Sequence, residues 1–185
     1  MAQDTREQRK KKVIGVLNQA RALELNAITQ YMNQHYNLDD MDYGDMAAKV
    51  KLIAIDEMRH AEMFAERIKE LGGEPTADPS GKVEKGQKVQ SMFSFDANLE
   101  DHAIDAYNQF LLVCRENGDS TSVKLFEGII DEEQVHFNYF DNVNDHIEKL
   151  GETYLAQIAG TPSATGLATQ GFVARQGSGA PGGGA

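Results

Sequence analysis

Two copies of the motif Glu-x-x-His constrain this chain more strongly than any other feature of its sequence. Glu57 and His60 form the first copy in DEMRH, and Glu133 and His136 form the second in DEEQVH. Apolar residues recur at helical spacing around both copies. On a helix, the i, i+3 spacing places the carboxylate and the imidazole on one face, one turn apart. One such pair alone is commonly a solvated pair, so the surrounding residues decide what the motif indicates.

Both motifs lie on apolar stripes that we expect to face a protein core. The stripe around Glu57 contains Val50, Ile53, Ala54, Ala61 and Phe64. The stripe around Glu133 contains Phe126, Ile129, Ile130, Phe137 and Phe140. A buried carboxylate is very costly without a compensating cation, so this placement indicates a metal site. The glutamates that lie off the stripes, and that we expect to be solvated, are Glu62, Glu66 and Glu132.

Two further glutamates complete a repeated pattern. Glu24 shares a stripe with Leu17, Ala20, Ala27, Ile28 and Tyr31. Glu100 shares one with Phe93, Ala97, Ala103, Ile104 and Tyr107. Glu24 precedes Glu57 by 33 residues, and Glu100 precedes Glu133 by the same 33 residues. Each of two helical hairpins therefore carries one glutamate and one Glu-x-x-His motif, and antiparallel packing can bring the two to the same height.

These six residues form a known type of ligand set. Four inward glutamates and two inward histidines bind the metals of di-iron and di-manganese carboxylate bundles. Oxygen and imidazole ligands suit iron and manganese better than soft metals, and four carboxylates balance two divalent cations. We predict that Glu57 and Glu133 bridge the two ions. The terminal pairs inferred from the repeat are Glu24 with His60, and Glu100 with His136. The alternative is six unrelated polar residues on core stripes.

The periodicity predicts an all-α fold. Long helices are expected over about 5–36, 43–71, 96–117 and 120–150, and ETYLAQIAG can form a short fifth helix. Residues 74–94 contain Pro75, Pro79, Gly81 and Gly86 and are interpreted as a long connection. About 20 residues can stretch over roughly 65 Å, which exceeds the length of a helix of about 45 Å. Two hairpins joined by one long crossover give a ferritin-like four-helix bundle.

Composition indicates how the chain is organised and excludes several classes of protein. We expect a bundle over residues 1–160 and a flexible tail, rich in Gly, Ala and Ser, over 161–185. No apolar run is long enough to span a membrane, and the polar first residues do not resemble an export signal. Cys114 is the single cysteine, which excludes an internal disulfide or a cysteine zinc cluster. The net charge of −11 disfavours nucleic acid as a partner. The expected location is the cytoplasm.

Several segments resemble bacterioferritins, the haem-containing ferritins of bacteria. They are ELNAITQYMNQH, AIDEMRHAE, LGGEP, DEEQVHFNYF and TYLAQIAG, and the resemblance covers about residues 5–160. It implies a hollow shell of 24 subunits built from twofold dimers, with two iron ions bound in each subunit by the six residues above. It also implies iron storage: oxidation of Fe(II) by O2 or H2O2, deposition of ferric mineral, and release of iron with the help of a reductant protein.

The same resemblance implies a haem between two subunits. Members of the family place a methionine directly after the metal glutamate of the second helix, which here is Met58. One residue along a helix turns the side chain by about 100°, so Met58 points away from the core that Glu57 faces. Apolar contacts to the porphyrin are expected from Leu25, Ile28, Met32 and Ile55. From the residues alone, a methionine that fills a subunit interface is the alternative.

Some residues carry weaker expectations. His35, His102 and His146 are expected at surface or capping positions. Tyr31 and Tyr107 either bond a ligand carboxylate or fill the core as ordinary tyrosines. Leu52 stands where well-known relatives carry a histidine that binds iron at the inner surface with the residue equivalent to Asp56, so that site is in doubt here.

Three rival functions fit the sequence less well than iron storage does. A peroxide-reducing di-iron protein of rubrerythrin type usually carries a module with paired CxxC motifs, which one cysteine cannot build. A helical haem-binding electron carrier would not need six inward metal ligands. A structural shell protein without chemistry would leave the buried glutamates unexplained.

Overall fold

The architecture is helical, as the periodicity predicts. A computed structural model of the protein describes residues 5–165 and 170–177. The helices in these ranges are α1 (Arg6–Asp40), α2 (Gly44–Glu70), α3 (Val89–Glu116), α4 (Ser120–Leu150), α5 (Glu152–Ile158) and α6 (Phe172–Gly177). Within the same ranges the pairing of extended backbone is limited to one isolated bridge, between Tyr43 and Thr161. The prediction of an all-α four-helix bundle with a short fifth helix is confirmed.

Two helix boundaries differ from the predicted ones. α1 continues to Asp40 instead of ending near residue 36, because Leu38 is fully buried and the polar residues around it face solvent. The chain turns only at Asp42, where φ is +66°. α3 begins at Val89 instead of residue 96, because Val89, Met92 and Phe93 are buried at helical spacing after the turn at Gly86.

The bundle consists of two antiparallel hairpins, α1 with α2 and α3 with α4, joined by the segment 71–88. This connection runs along α1. The backbone N–H of Thr76 donates to the side chain of Asn18 at 2.7 Å, and that of Glu84 donates to Gln30 at 2.8 Å. The predicted long crossover is therefore present, and it covers one side of the first helix.

Two apolar clusters occupy the bundle interior. The first is built around Tyr31, Ile53, Phe93 and Phe140, and the second around Leu17, Phe64, Tyr107 and Phe126. Aromatic rings pack closely in each: the centroids of Tyr31 and Phe140 are 5.3 Å apart, and those of Phe64 and Phe126 are 5.2 Å apart. Along α2 and α4, the two Glu-x-x-His motifs lie between these clusters. The candidate site is thus a polar layer enclosed by apolar ones.

Composition predicts a flexible tail over residues 161–185, of which the structure describes 161–165 and 170–177; the rest of that tail lies outside the described residues. α6 lies within this region and contacts both α2 and α4. Its Phe172 is 5 % exposed, and the ring centroid lies 5.0 Å from that of Tyr139. A large apolar side chain in an otherwise small-residue segment explains the docking, since burying one phenylalanine contributes about 1.5–3 kcal/mol. None of the described helices has the length and apolarity that a membrane span requires.

Replacing Phe126 by alanine should destabilise the bundle by about 3–5 kcal/mol, because the cavity would lie where three aromatic neighbours meet. The measurement is the free energy of unfolding in guanidinium chloride, followed by circular dichroism. Leu112→Ala is the matched control, since Leu112 is 46 % exposed. Equal effects of the two substitutions would contradict this assignment of the core.

Candidate metal centre

The fold brings all six predicted ligands together in the bundle interior. α1 supplies Glu24, α2 supplies Glu57 and His60, and α3 supplies Glu100. The fourth helix, α4, supplies the second Glu-x-x-His motif. No side chain of the set is more than 3 % exposed. Because each helix buries the stripe that carries its ligand, the apolar pattern of the sequence is what aims these residues inward.

The six residues form two overlapping groups, and in each group the candidate ligand atoms lie within 4.8 Å of one another. One group is Glu24, Glu57, His60 and Glu133; the other is Glu57, Glu100, Glu133 and His136. Glu57 and Glu133 belong to both. This is the arrangement expected for two bridging carboxylates, with one glutamate and one histidine completing each metal position.

The imidazoles face the centre through Nδ1. His60 Nδ1 lies 3.0 Å from Glu57 Oε2 and 3.1 Å from Glu133 Oε1. His136 Nδ1 lies 2.9 Å from Glu133 Oε2 and 3.1 Å from Glu57 Oε1. Each Nδ1 is therefore almost equally close to both bridging candidates, so the two halves of the centre are related by pseudo-twofold symmetry.

Two buried oxygens show that the centre fits metal ions. Glu57 Oε1 and Glu133 Oε1 are buried and accept no hydrogen bond, although each lies 3.1 Å from an imidazole nitrogen. One proton on Nδ1 can serve only one of the two adjacent oxygens with good geometry. A buried carboxylate oxygen without a partner is costly, and a divalent cation in this position would satisfy it.

The ionisation of the centre reflects crowding of like charges. Burial, followed by the charges of Glu57 and Glu133, raises the pKa of both Glu24 and Glu100 well above the usual value. Burial alone would also raise the pKa of Glu133, but the charge of His60 and a hydrogen bond from His136 lower it. Glu24 and Glu100 thus hold protons more readily than Glu133 does.

The histidines respond to the same carboxylates. Burial alone would lower the pKa of His60, but the charge of Glu133 and hydrogen bonds with the surrounding glutamates raise it well above its usual value. The pKa of His136 is raised in the same way, by the charge of Glu57 and by a hydrogen bond with Asp56. Protons on these imidazoles partly balance the buried negative charge when metal is absent.

Two tyrosines cross the bundle to bond the terminal glutamates. Tyr107 on α3 donates its hydroxyl to Glu24 Oε1 of α1, and Tyr31 on α1 donates to Glu100 Oε1 of α3, both at 2.5 Å. Both rings are fully buried, and burial raises the pKa of both hydroxyls. Of the two roles left open by the sequence, bonding to a ligand carboxylate is the one that the structure shows.

A second carboxylate stands behind each histidine. His136 Nε2 lies 3.4 Å from Asp56 Oδ2, and His60 Nε2 lies 3.2 Å from Glu132 Oε2. The Glu132 side chain is 42 % exposed, so it is partly solvated as predicted, but its bond to His60 was missed. The repeat contains the signal, because the residue before each bridging candidate is acidic. Such partners fix the ring orientation and tautomer of a ligating histidine.

The other histidines lie outside the centre. His35 was expected at a surface or capping position, but it is 7 % exposed, and its Nδ1 lies 2.9 Å from the carbonyl oxygen of Ala47. The expectation is wrong because the helix continues past His35 and the neighbouring α2 covers it. His102 and His146 are exposed, as expected.

A small cavity reaches the centre between α1 and α3. Its volume is about 40 Å³, and all four glutamates of the centre and both tyrosines line it. Asn26, Leu99 and His102 line its outer part, and His102 is exposed. This cavity places open space beside both terminal glutamates.

Only some of the residues predicted to contact haem line the same surface groove. Met58 is 56 % exposed and lies in a surface groove of about 470 Å³ that Leu25 and Ile28 also line. Met32 and Ile55 pack instead against the first apolar cluster and do not line this groove. Each lies about one turn along its helix from the residues that line the groove, Met32 after Ile28 and Ile55 before Met58.

The residues tied to the doubtful inner-surface site are both buried. Leu52 is 7 % exposed and Asp56 is 1 % exposed. Burial alone would raise the pKa of Asp56, but hydrogen bonds from His136 and from the backbone N–H of Val173 lower it. Asp56 is therefore an ionised acceptor enclosed by other parts of the chain.

Comparison with known proteins gives one consistent family. Residues 14–151 match the family described as ferritin-like domain. A bacterioferritin of Desulfovibrio desulfuricans is 66 % identical over 168 residues, covering 91 % of this chain and 94 % of the relative. A bacterioferritin of Streptomyces coelicolor is 37 % identical over 147 residues, covering 79 % and 88 %. A solved structure of Desulfovibrio desulfuricans bacterioferritin, described as showing the diiron site in different catalytic states, superposes with a TM-score of 0.88 at 64 % identity, covering 92 % of this chain and 99 % of that one.

Metal binding to the centre should release protons and strengthen as the pH rises. Because the pKa values of Glu24, Glu100 and both histidines are raised, these groups hold protons to higher pH than usual in the metal-free centre, and a cation must displace them. Each proton released makes the affinity about tenfold stronger per pH unit. Anaerobic Co²⁺ titration calorimetry at pH 6 and pH 8, in buffers of different ionisation enthalpy, measures both effects. Equal affinity at the two pH values would contradict this account of the centre.

Proposed function

This chain belongs to the bacterioferritins, within the ferritin-like family, and from that membership we propose that it stores iron and oxidises Fe(II) at its buried centre. The observation that carries the proposal is the pair of overlapping ligand groups that share Glu57 and Glu133. A centre of this kind holds two metal ions side by side, and the unpartnered oxygens belong to the two shared residues.

Ferrous iron is the substrate of the proposed reaction. Dioxygen or hydrogen peroxide takes one electron from each of two ferrous ions. With two protons, these electrons reduce dioxygen to hydrogen peroxide, or hydrogen peroxide to two waters. The ferric product then moves into the storage cavity as mineral.

The chain's own residues bind and orient the ions. Four carboxylates neutralise two divalent cations, and their hard oxygen atoms favour the ferric state. Tyr31 and Tyr107 hold one oxygen of each terminal glutamate by hydrogen bonds, which leaves the other oxygen free to bind metal. Asp56 and Glu132 bond the outer nitrogen of each imidazole and so keep Nδ1 directed at the centre.

Glu133→Ala should abolish the fast phase of iron oxidation, because it removes an oxygen ligand from both metal positions. The measurement is stopped-flow absorbance after ferrous iron is mixed with aerobic protein that has been stripped of iron. Glu66→Ala is the matched control, since Glu66 is an exposed glutamate on α2. The bundle should survive, because a buried charge is lost along with the metal it serves. A normal fast phase in Glu133→Ala would disprove the site assignment.

We also propose that the protein binds haem and assembles into a closed shell. Met58 offers an exposed thioether on α2, where Ala61 and Ala65 leave room along the same groove. A twofold dimer would present the same patch from both sides and supply two identical axial ligands to one haem. Such ligands stabilise reduced haem iron. The 24-subunit count, the reductant protein for iron release and the cytoplasmic location are proposed from the family resemblance alone.

Met58→Leu should lose haem while retaining assembly and fast iron oxidation, because Met58 lies outside the metal centre. Absorbance spectra of the reconstituted protein measure haem, and sedimentation velocity measures assembly. Met63→Leu is the matched control, a methionine on the same helix that is 40 % exposed. Full haem with unchanged axial spectra in Met58→Leu would leave Met58 as an interface side chain. If sedimentation of the unmodified protein showed nothing larger than a dimer, the proposal of a closed shell would be wrong.

A further inference from the structure

The two halves of the metal centre are not supported equally. Asp56, behind His136, is 1 % exposed, whereas the side chain of Glu132, behind His60, is 42 % exposed. α6 and the residue before it lie against Asp56. The ligand groups themselves obey the repeat, so this asymmetry originates outside the repeated hairpins.

Three contacts fix the C-terminal segment over Asp56. The backbone N–H of Val173 donates to Asp56 Oδ2 at 3.0 Å, the same oxygen that faces His136 Nε2. Phe172 packs with its ring centroid 6.4 Å from that of His136 and 5.0 Å from that of Tyr139. The segment therefore touches both the outer carboxylate and the imidazole that it serves.

Gly171 shows how closely the segment approaches. A Cβ atom at this position would lie 1.8 Å from Asp56 Oδ1 and 2.7 Å from Oδ2. Real Cβ contacts are never so short, so any side chain at Gly171 must displace either Asp56 or the segment itself. Glycine at this position permits the close approach to a buried carboxylate.

We propose that Gly171, Phe172 and Val173 form a clamp that positions His136 through Asp56 and makes the two metal positions unequal. The inference rests on the proposed function, because it concerns the same centre. With its outer carboxylate held by the clamp, His136 keeps a fixed orientation and its metal position binds more tightly. His60 depends on a half-exposed glutamate, so the position that it shares with Glu24 binds more weakly.

The test uses the full chain, stripped of metal, and Gly171→Ala. Hydrogen exchange of the amides in residues 171–177 reports whether the clamp is docked, independently of any metal. Anaerobic titration with Co²⁺ reports binding. The unmodified protein should bind two ions in two resolved steps. Gly171→Ala should lose amide protection and weaken the tighter step by about 10- to 100-fold, the usual effect of losing an outer-shell partner.

Gly15→Ala is the matched control, because a Cβ at Gly15 would meet nothing within 4 Å. It should leave exchange and both binding steps unchanged. Phe172→Ala is a second variant that releases the clamp without adding an atom near Asp56, and it should weaken the same step.

Several outcomes would overturn the clamp. They are lost protection with both steps unchanged, equal weakening of both steps, a Gly171→Ala variant that keeps both its protection and its tighter step, and a single unresolved step in the unmodified protein. Failure of the unmodified protein to bind two ions would instead count against the proposed function, so the two failures are distinguishable.

Discussion

Burial of four carboxylates in one layer of the bundle is the constraint on which the rest of the structure depends. An isolated buried carboxylate is too costly to retain its charge without a partner. Here the cost is met in two ways. In the metal-free chain, burial and the charges of Glu133 and Glu57 raise the pKa of Glu24. Against the effect of burial, the charge of Glu133 raises the pKa of His60, so protons held by these groups reduce the excess charge. With two divalent cations bound, the same four carboxylates are neutralised. The apolar clusters on either side provide the folding free energy that lets the chain keep such a layer.

The pseudo-symmetry of the centre follows from the repeat of two hairpins. Tyr107 bonds Glu24 and Tyr31 bonds Glu100 at the same distance, so each hairpin completes the other's terminal ligand. Neither hairpin alone could satisfy its buried carboxylate. The centre therefore couples the two hairpins by directed hydrogen bonds as well as by apolar packing. These bonds favour one relative alignment of the two hairpins.

Most of the fold and the gathering of the six candidate ligands were predictable from sequence because both depend on helical periodicity. The stripes fix which face is buried, and the spacing of 33 residues aligns Glu with Glu-x-x-His in each hairpin. What escaped prediction depends on tertiary contacts. His35 is buried because α2 packs over it, and α3 begins early because Val89 and Met92 find a core. Bonding of Glu132 to His60 required the distance between two helices, which spacing along one helix does not give.

α6 was the hardest element to predict, because its composition signals flexibility. A single phenylalanine and a glycine that approaches Asp56 are enough to dock it. Short segments of this kind contribute little to the stability of a large bundle, so they can change without loss of the fold. Such segments affect metal binding where they contact the carboxylate that orients a ligating histidine, since small changes in imidazole orientation alter metal binding strongly. A symmetric centre made by repetition can thus acquire two unequal metal positions through a few residues added beyond the repeat.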